Sequence, residues 1–275
     1  MSEYEDYDRA SEAYSRIRVP VGLEILLGIY STHLRDLSSR RLVDIGCGAA
    51  TYALPLSYWF GEVQALDKSP GQIEQASLKC ADRSNVKFQV ADARELPLES
   101  DAADACLLSL MLHHVPSEPD SWTGHRQVFQ ECARILRPGG VMVLGICSQQ
   151  QVFDGAWYCR LMPRAAEVLA SRHPRPEVLT SLAQDAGFFS SGQFVPVDRV
   201  LQGPGYFDGR GILRQDWRDA DSIFSLLSES ELADLVQRVR QMDDAGNLDD
   251  FVRRHDDVRK NIGQVTFMAF VRRQT

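Results

Sequence analysis

The stretch Leu42-Val43-Asp44-Ile45-Gly46-Cys47-Gly48-Ala49-Ala50-Thr51 combines an apolar run, an acid and a glycine-rich turn. Glycine has no Cβ and accepts positive φ, so a turn of this kind lets backbone approach a small ligand closely. In α/β proteins such a ligand is nucleotide-like and sits beyond the carboxyl ends of parallel strands. The dinucleotide fingerprint G-x-G-x-x-G would place its third glycine at Thr51, where close helix–strand packing needs a smaller residue. Asp44 would also stand badly beside a pyrophosphate dianion, but well beside the ammonium group of an amino-acid moiety. The charge therefore favours S-adenosylmethionine over a dinucleotide.

These residues need elements to hold them. Arg41–Ile45 is predicted as a buried strand, residues 51–60 as a helix, and residues 62–66 as a strand ending in Asp67. Ser69-Pro70 reads as an N-cap and first-turn proline, opening a helix with Ile73, Ala76 and Cys80 on one face. Residues 86–90 form a third strand ending near Asp92. Residues 103–110 are continuously apolar, as expected of a strand covered on both faces. Helical spacing at Val128, Cys132 and Ile135 runs to Pro138-Gly139-Gly140, and residues 141–147 form a fifth strand. This alternation predicts an α/β fold with a parallel sheet wound on both sides.

After Cys147 the rhythm changes. Residues 153–173 are predicted helical with a break at Pro163, residues 177–186 helical with Gly187 as C-cap, and residues 189–200 a strand. Ser228-Glu229-Ser230-Glu231 is a capping box opening a helix with Leu232, Leu235, Val236, Val239 and Met242 along its core stripe. Residues 264–273 form the last strand. Residues 203–263 thus interrupt the two final strands, and an inserted helical cap is expected, because structureless loops of that length are uncommon.

Four separated motifs across residues 41–147 resemble the class I S-adenosylmethionine-dependent methyltransferases. They are Asp44-Ile45-Gly46-Cys47-Gly48, Asp67, Asp92-Ala93, and Arg134-Ile135-Leu136-Arg137-Pro138-Gly139-Gly140. Ala50 stands where that family usually has a third glycine. The resemblance implies a Rossmann-like, doubly wound seven-stranded sheet, mostly parallel, with an antiparallel last strand beside the fifth, plus the helical cap insertion. It implies S-adenosyl-L-methionine as cofactor and S-adenosyl-L-homocysteine as product. Asp44, Gly46, Cys47, Gly48, Asp67, Lys68, Asp92, Ala93, Ser109 and Leu110 are the cofactor-binding residues it implies. Asp67 would accept from the ribose hydroxyls, and Asp92-Ala93 would read the adenine amino edge. Helix capping by Asp67, turn formation by Asp92 and simple packing by Cys47 are the structural alternatives. The expected division is an N-terminal helical lid (1–40), a cofactor-binding core (41–202, with a helical segment at 150–175), the cap (203–263) and the final strand (264–275).

Methyl transfer asks the protein chiefly to align the acceptor in line with methyl and sulfur, and a general base only if the acceptor carries a proton. His113 and His114, after the fourth strand, are the candidate bases; packing or capping is their alternative. Tyr14 and Arg18 in the lid, with Trp157, Tyr206 and Trp217, are the expected substrate-facing groups, the aromatics having core packing as their alternative. No metal site is expected, since adjacent histidines point apart and no third ligand is evident.

A net charge of −8 in 275 residues argues against nucleic-acid and anionic-membrane partners. No Asn-Pro-Pro-Tyr or Asp-Pro-Pro-Tyr tetrapeptide of base aminomethylases follows the fourth strand. A small organic acceptor, such as a secondary metabolite, is the expected partner. The alternatives are a noncatalytic S-adenosylmethionine-binding protein and an enzyme using the same cofactor for a reaction such as cyclisation. Six scattered cysteines without a CxxC pair, and an acidic start without an apolar segment, predict a cytoplasmic protein with reduced thiols.

Overall fold

The computed structural model describes residue 12, residues 15–117 and residues 121–274. The apolar runs become strands β1 (Arg41–Ile45), β2 (Glu62–Asp67), β3 (Val86–Val90), β4 (Ala103–Ser109), β5 (Leu136–Ile146), β6 (Phe188–Phe194) and β7 (Thr266–Arg272). Their order in the single sheet is β3-β2-β1-β4-β5-β7-β6. β7 runs antiparallel between β5 and β6, and the other pairs are parallel. The doubly wound seven-stranded sheet is therefore as expected.

Side chains alternate along a strand, and here both sets are buried. Leu42, Ala105, Leu107, Val141 and Val143 face one core with α1 (Leu23–His33) and α2 (Ala53–Leu56), joined by Ala76 of α3 (Pro70–Lys79). Val43, Cys106, Leu108, Met142 and Leu144 face a second core with α4 (Thr123–Ile135). Within the expected lid, α1 is fixed to the sheet: Tyr30 is fully buried and its hydroxyl donates to the Cys106 carbonyl at 3.0 Å.

The helix expected over residues 153–173 instead divides into helices Gln149–Asp154 and Pro163–Arg172 with a 3-10 segment Trp157–Leu161 between them, and three other elements differ for local reasons. Helical hydrogen bonds do span residues 50–60, at Leu54, Leu56, Ser57 and Phe60. Pro55 has no N–H to give the Thr51 carbonyl, and the regular helix shrinks to α2. β5 begins at Leu136, before Pro138-Gly139-Gly140, because its pairing with β4 jumps from Ala103–Leu136 to Ala105–Val141 and absorbs the turn as a bulge. β6 ends at Phe194, ahead of Pro196, which cannot donate to a ladder.

A third core belongs to the helices between β5 and β7: α5 (Gln149–Asp154), α6 (Pro163–Arg172), α7 (Pro176–Asp185), α8 (Gln215–Asp219), α9 (Glu229–Asp244), α10 (Leu248–Asp256) and α11 (Arg259–Ile262). All but α7 and α11 contribute buried apolar residues to it. The capping box at Ser228 and Glu231 is formed. Leu235 and Val239 of α9 are fully enclosed, whereas Leu232 and Met242 pack at the margin. Among the described residues no helix is long and apolar enough to cross a membrane.

Trp157, Tyr206 and Trp217, expected to face substrate, sit at the centre of this third core, each at most 1% exposed. The Trp157 indole donates to the Tyr206 carbonyl at 2.8 Å, and Tyr206 donates to Asp256 at 2.9 Å. A layer without a sheet needs bulky side chains in its interior, and edge-on aromatic packing supplies them. Trp157→Ala is expected to cost about 3–5 kcal/mol in urea denaturation.

Candidate functional site

The glycine turn leaves β1 with Gly46, Gly48 and Ala50 all at positive φ, 72°, 52° and 59°. At Gly46 a Cβ would lie 2.7 Å from the Cβ of Met111, so only glycine fits. Ala50 occupies the left-handed region at a steric cost of about 1–2 kcal/mol, which is the physical meaning of a glycine at that position. The turn is tied to β2. Gly46 and Cys47 donate to the Leu66 carbonyl at 2.7 and 3.0 Å, and Gly48 donates to Asp67 Oδ2 at 2.9 Å. Asp67 Oδ1 accepts the Ser69 N–H at 2.9 Å, while Ser69 itself caps α3 through the Gln72 N–H. Asp67 thus couples the first turn to the start of α3, and the capping is done by Ser69.

Beyond the carboxyl ends of β1, β2 and β4 lies a cleft enclosing about 1280 Å³, including its mouth open to solvent. It brings together Asp44, Gly46, Cys47, Gly48, Asp67, Lys68, Asp92, Ala93, Ser109 and Leu110, all the residues expected around the cofactor. Its wall carries buried polar atoms with no hydrogen-bond partner among the described residues: Asp44 Oδ2, Thr51 Oγ1, both amide atoms of Gln72, and Ser109 Oγ. Unmatched buried polar groups are costly, and their convergence in one cleft marks a place built for a polar ligand. Sequence reasoning missed Gln72 and weighed Thr51 only as a failed glycine. Neither carries a motif, and the fold alone aims them inward.

Two carboxylates of the cleft differ in state. Asp44 is 2% exposed. Burial, helped by the nearby Asp67 charge, raises its pKa to about 7. Asp92 is held well below the usual carboxylate range, chiefly by hydrogen bonds from Arg94 and then from Lys68. Both of its oxygens are engaged: Oδ1 accepts from Arg94 N and Nε, each at 3.0 Å, and Oδ2 from Lys68 Nζ at 2.8 Å and Arg94 Nη2 at 2.7 Å.

A second cavity adjoins the cleft, and Arg18, Leu110 and Leu201 line both. Leu110 has φ 54°, a strained backbone at the junction. His114 lines the cleft and His113 the second cavity, their ring centroids 3.9 Å apart. Burial holds both imidazoles neutral, lowering His114 to about 3 and His113 far below its ordinary value. Arg18 is pinned at the junction: its Nε donates to the Ala220 carbonyl at 2.7 Å and its guanidinium pairs with Asp221 at 3.3 Å. Tyr158, which follows Trp157 in the aromatic segment, lines the second cavity and donates to Asp221 at 2.6 Å. Trp157, Tyr206 and Trp217 line neither space, and Tyr14 lies outside the described residues.

Comparison with known proteins agrees with this layout. Residues 43–144 match a family model described as a methyltransferase domain. Over these residues the chain resembles the class I S-adenosylmethionine-dependent methyltransferases. A demethylmenaquinone methyltransferase from Clavibacter sepedonicus is 31% identical over 141 residues, covering 50% of this chain and 55% of that one. A ubiquinone biosynthesis O-methyltransferase from Xanthomonas oryzae pv. oryzae is 28% identical over 137 residues, covering 47% and 54%. The chain thus spans about half the length of the curated relatives it matches. A putative methyltransferase from an antibiotic biosynthesis pathway of Anabaena variabilis shares the fold, with a TM-score of 0.73 at 20% identity, covering 93% of this chain and 98% of that one.

The state of Asp44 has a consequence for stability. Its native pKa of about 7 lies above the ordinary 3.8, so the folded protein binds this proton more tightly than the unfolded chain. The contribution is fully present below about pH 4 and is lost as the pH rises through about 7. Urea denaturation across that range is expected to show Asp44→Asn gaining on the wild type as the pH rises, because the amide has no proton to lose.

Proposed function

We propose that the protein transfers a methyl group from S-adenosylmethionine to a small organic acceptor, with S-adenosylhomocysteine as coproduct. The observation that carries this reading is the set of unmatched buried polar atoms, Asp44 Oδ2, Thr51 Oγ1, Ser109 Oγ and the Gln72 amide, converging in one cleft at the ends of β1, β2 and β4. The cofactor, when bound, supplies an electrophilic methyl group on a sulfonium. The work left to this chain is to bind, align and exclude water.

Asp44 would face the cofactor's ammonium group, which would return its carboxyl to the charged form. Asp67, oriented by the Gly48 and Ser69 N–H groups, would accept from the ribose hydroxyls. An adenine amino group approaching Asp92 would compete with Lys68, whose side chain is 47% exposed and pairs with Asp92 at 2.8 Å. Cys47, Ala93 and Leu110 would enclose the nucleoside. Residues 203–263 would act as a cap on the core, and the part of residues 1–40 preceding α1 as a lid, with Arg18 at the junction. His113 and His114 are proposed as groups bordering the reacting centre. The names of the two quinone-pathway relatives fit a ring-bearing acceptor, and a secondary metabolite is proposed here. All six cysteines are free, which fits a reducing, cytoplasmic setting.

Calorimetry with S-adenosylhomocysteine tests the reading. Wild-type protein should bind, and Asp67→Ala should lower the affinity by at least about tenfold, the scale of hydrogen bonds to a charged acceptor. Equal affinities would remove Asp67 from the ribose. With an acceptor in hand, one S-adenosylhomocysteine per product distinguishes methyl transfer from a cyclisation that leaves the cofactor intact.

A further inference from the structure

His173 closes α6 and presents its ring to the second cavity. The side chain is 5% exposed and stacks on His113 with ring centroids 4.3 Å apart and planes 15° from parallel. Its Nδ1 lies 2.9 Å from the Leu169 carbonyl oxygen. A carbonyl can only accept, so Nδ1 must carry the proton, and Nε2 is left as a bare acceptor. Among the described residues Nε2 has no hydrogen-bond partner. Burial lowers the imidazole to about 4, which keeps it neutral near pH 7.

No lining group among the described residues hydrogen-bonds that nitrogen. Val152, Ala156, Leu169 and Ile223 are apolar. Several polar lining groups are engaged elsewhere: Tyr158 with Asp221, Asp221 with Arg18, Cys147 with the Gln264 carbonyl, and Gln151 with the Ile262 carbonyl. A buried acceptor in an apolar chamber, fixed in one tautomer by its own helix, is arranged to receive a donor from outside the protein. Because Arg18 and Asp221 neutralise each other and the wall has a low polarity, an uncharged molecule enters at least cost.

We propose that the second cavity holds the methyl acceptor, an uncharged molecule, and that His173 Nε2 receives the hydrogen bond of its hydroxyl or N–H group. This rests on the methyl-transfer reading and names the substrate class of the same site. As the acceptor becomes methylated, its O–H or N–H bond breaks and the proton passes to Nε2, while the electron pair stays on the acceptor atom for the new bond to carbon. Once that proton passes on to solvent, His173 is again a bare acceptor, and an O-methylated product has no O–H to offer it. His173 discriminates substrate from product, and His113 positions it by stacking.

The test uses 2-naphthol and 2-methoxynaphthalene as probes, titrated into the full chain with S-adenosylhomocysteine saturating the cleft. The wild type should bind 2-naphthol at least about tenfold more tightly than its methyl ether, the scale of one buried hydrogen bond. His173→Phe should erase that preference while leaving affinity for the ether and for S-adenosylhomocysteine unchanged. A preference that survives in His173→Phe, or a wild type that binds 2-naphthol no better than the ether or not at all, overturns the proposal. Should the variant not fold, ¹⁵N spectra of the wild-type histidines decide. The expected result at pH 7 is a neutral His173 with its proton on Nδ1 and an Nε2 resonance that moves on adding 2-naphthol; an Nε2–H tautomer or a static resonance overturns it. If S-adenosylhomocysteine does not bind the wild type, the methyl-transfer reading fails instead, and the naphthol comparison is then made without it.

Discussion

Asp44 is a carboxyl group buried at the end of a central strand, and no ion pair among the described residues involves it. Burying such a group without a counter-charge is expensive, and the protein answers by raising its pKa so that a proton neutralises it. The neighbouring features are arranged around this one constraint. Asp67, whose charge makes Asp44 harder to ionise, is directed by the Gly48 and Ser69 N–H groups. Gly46 leaves the space that a side chain would take from Met111. Ala50, fully buried in the turn, and Leu110, on the cleft wall, both hold strained positive φ.

The sheet makes that arrangement rigid. In register, Asp44 lies between Ala65 of β2 and Leu107 of β4, so the three strand ends that build the cleft cannot drift independently. Both faces of those strands are filled by apolar side chains from α1, α2 and α4. The helical layer has its own aromatic core and meets the sheet at the second cavity. There the Arg18–Asp221 pair joins the N-terminal segment to the layer between β6 and β7. The cleft with its unmatched polar atoms thus belongs to the sheet, and much of the second cavity's wall belongs to the added helices.

The sequence was most explicit where function depends on local pattern. The strands of the first half follow from short apolar runs buried on both faces, and the cleft-lining residues from acids and glycines at the ends of those runs. Pro55 and Pro196 shortened their elements through a missing N–H, which periodicity alone does not weigh. Trp157, Tyr206 and Trp217 look the same in a sequence whether they line a pocket or fill a core. Only the long-range pairing of Trp157 with Tyr206, and of Tyr206 with Asp256, decides between the two. His173 was silent for the opposite reason. Its significance lies in one nitrogen left bare after the other meets Leu169, and a lone histidine at a helix end carries no sign of that.

With a pKa of about 7, Asp44 is mostly protonated at pH 6, and the ammonium group of the proposed cofactor would drive that proton off. Calorimetry of S-adenosylmethionine binding at pH 6, in two buffers of different ionisation enthalpy, measures it directly. Ionisation of Asp44 by the incoming ammonium group requires release of about one proton per ligand bound, and Asp44→Asn should release none. Binding by the wild type with no proton exchanged, or the same release from the Asp44→Asn variant, would contradict the account.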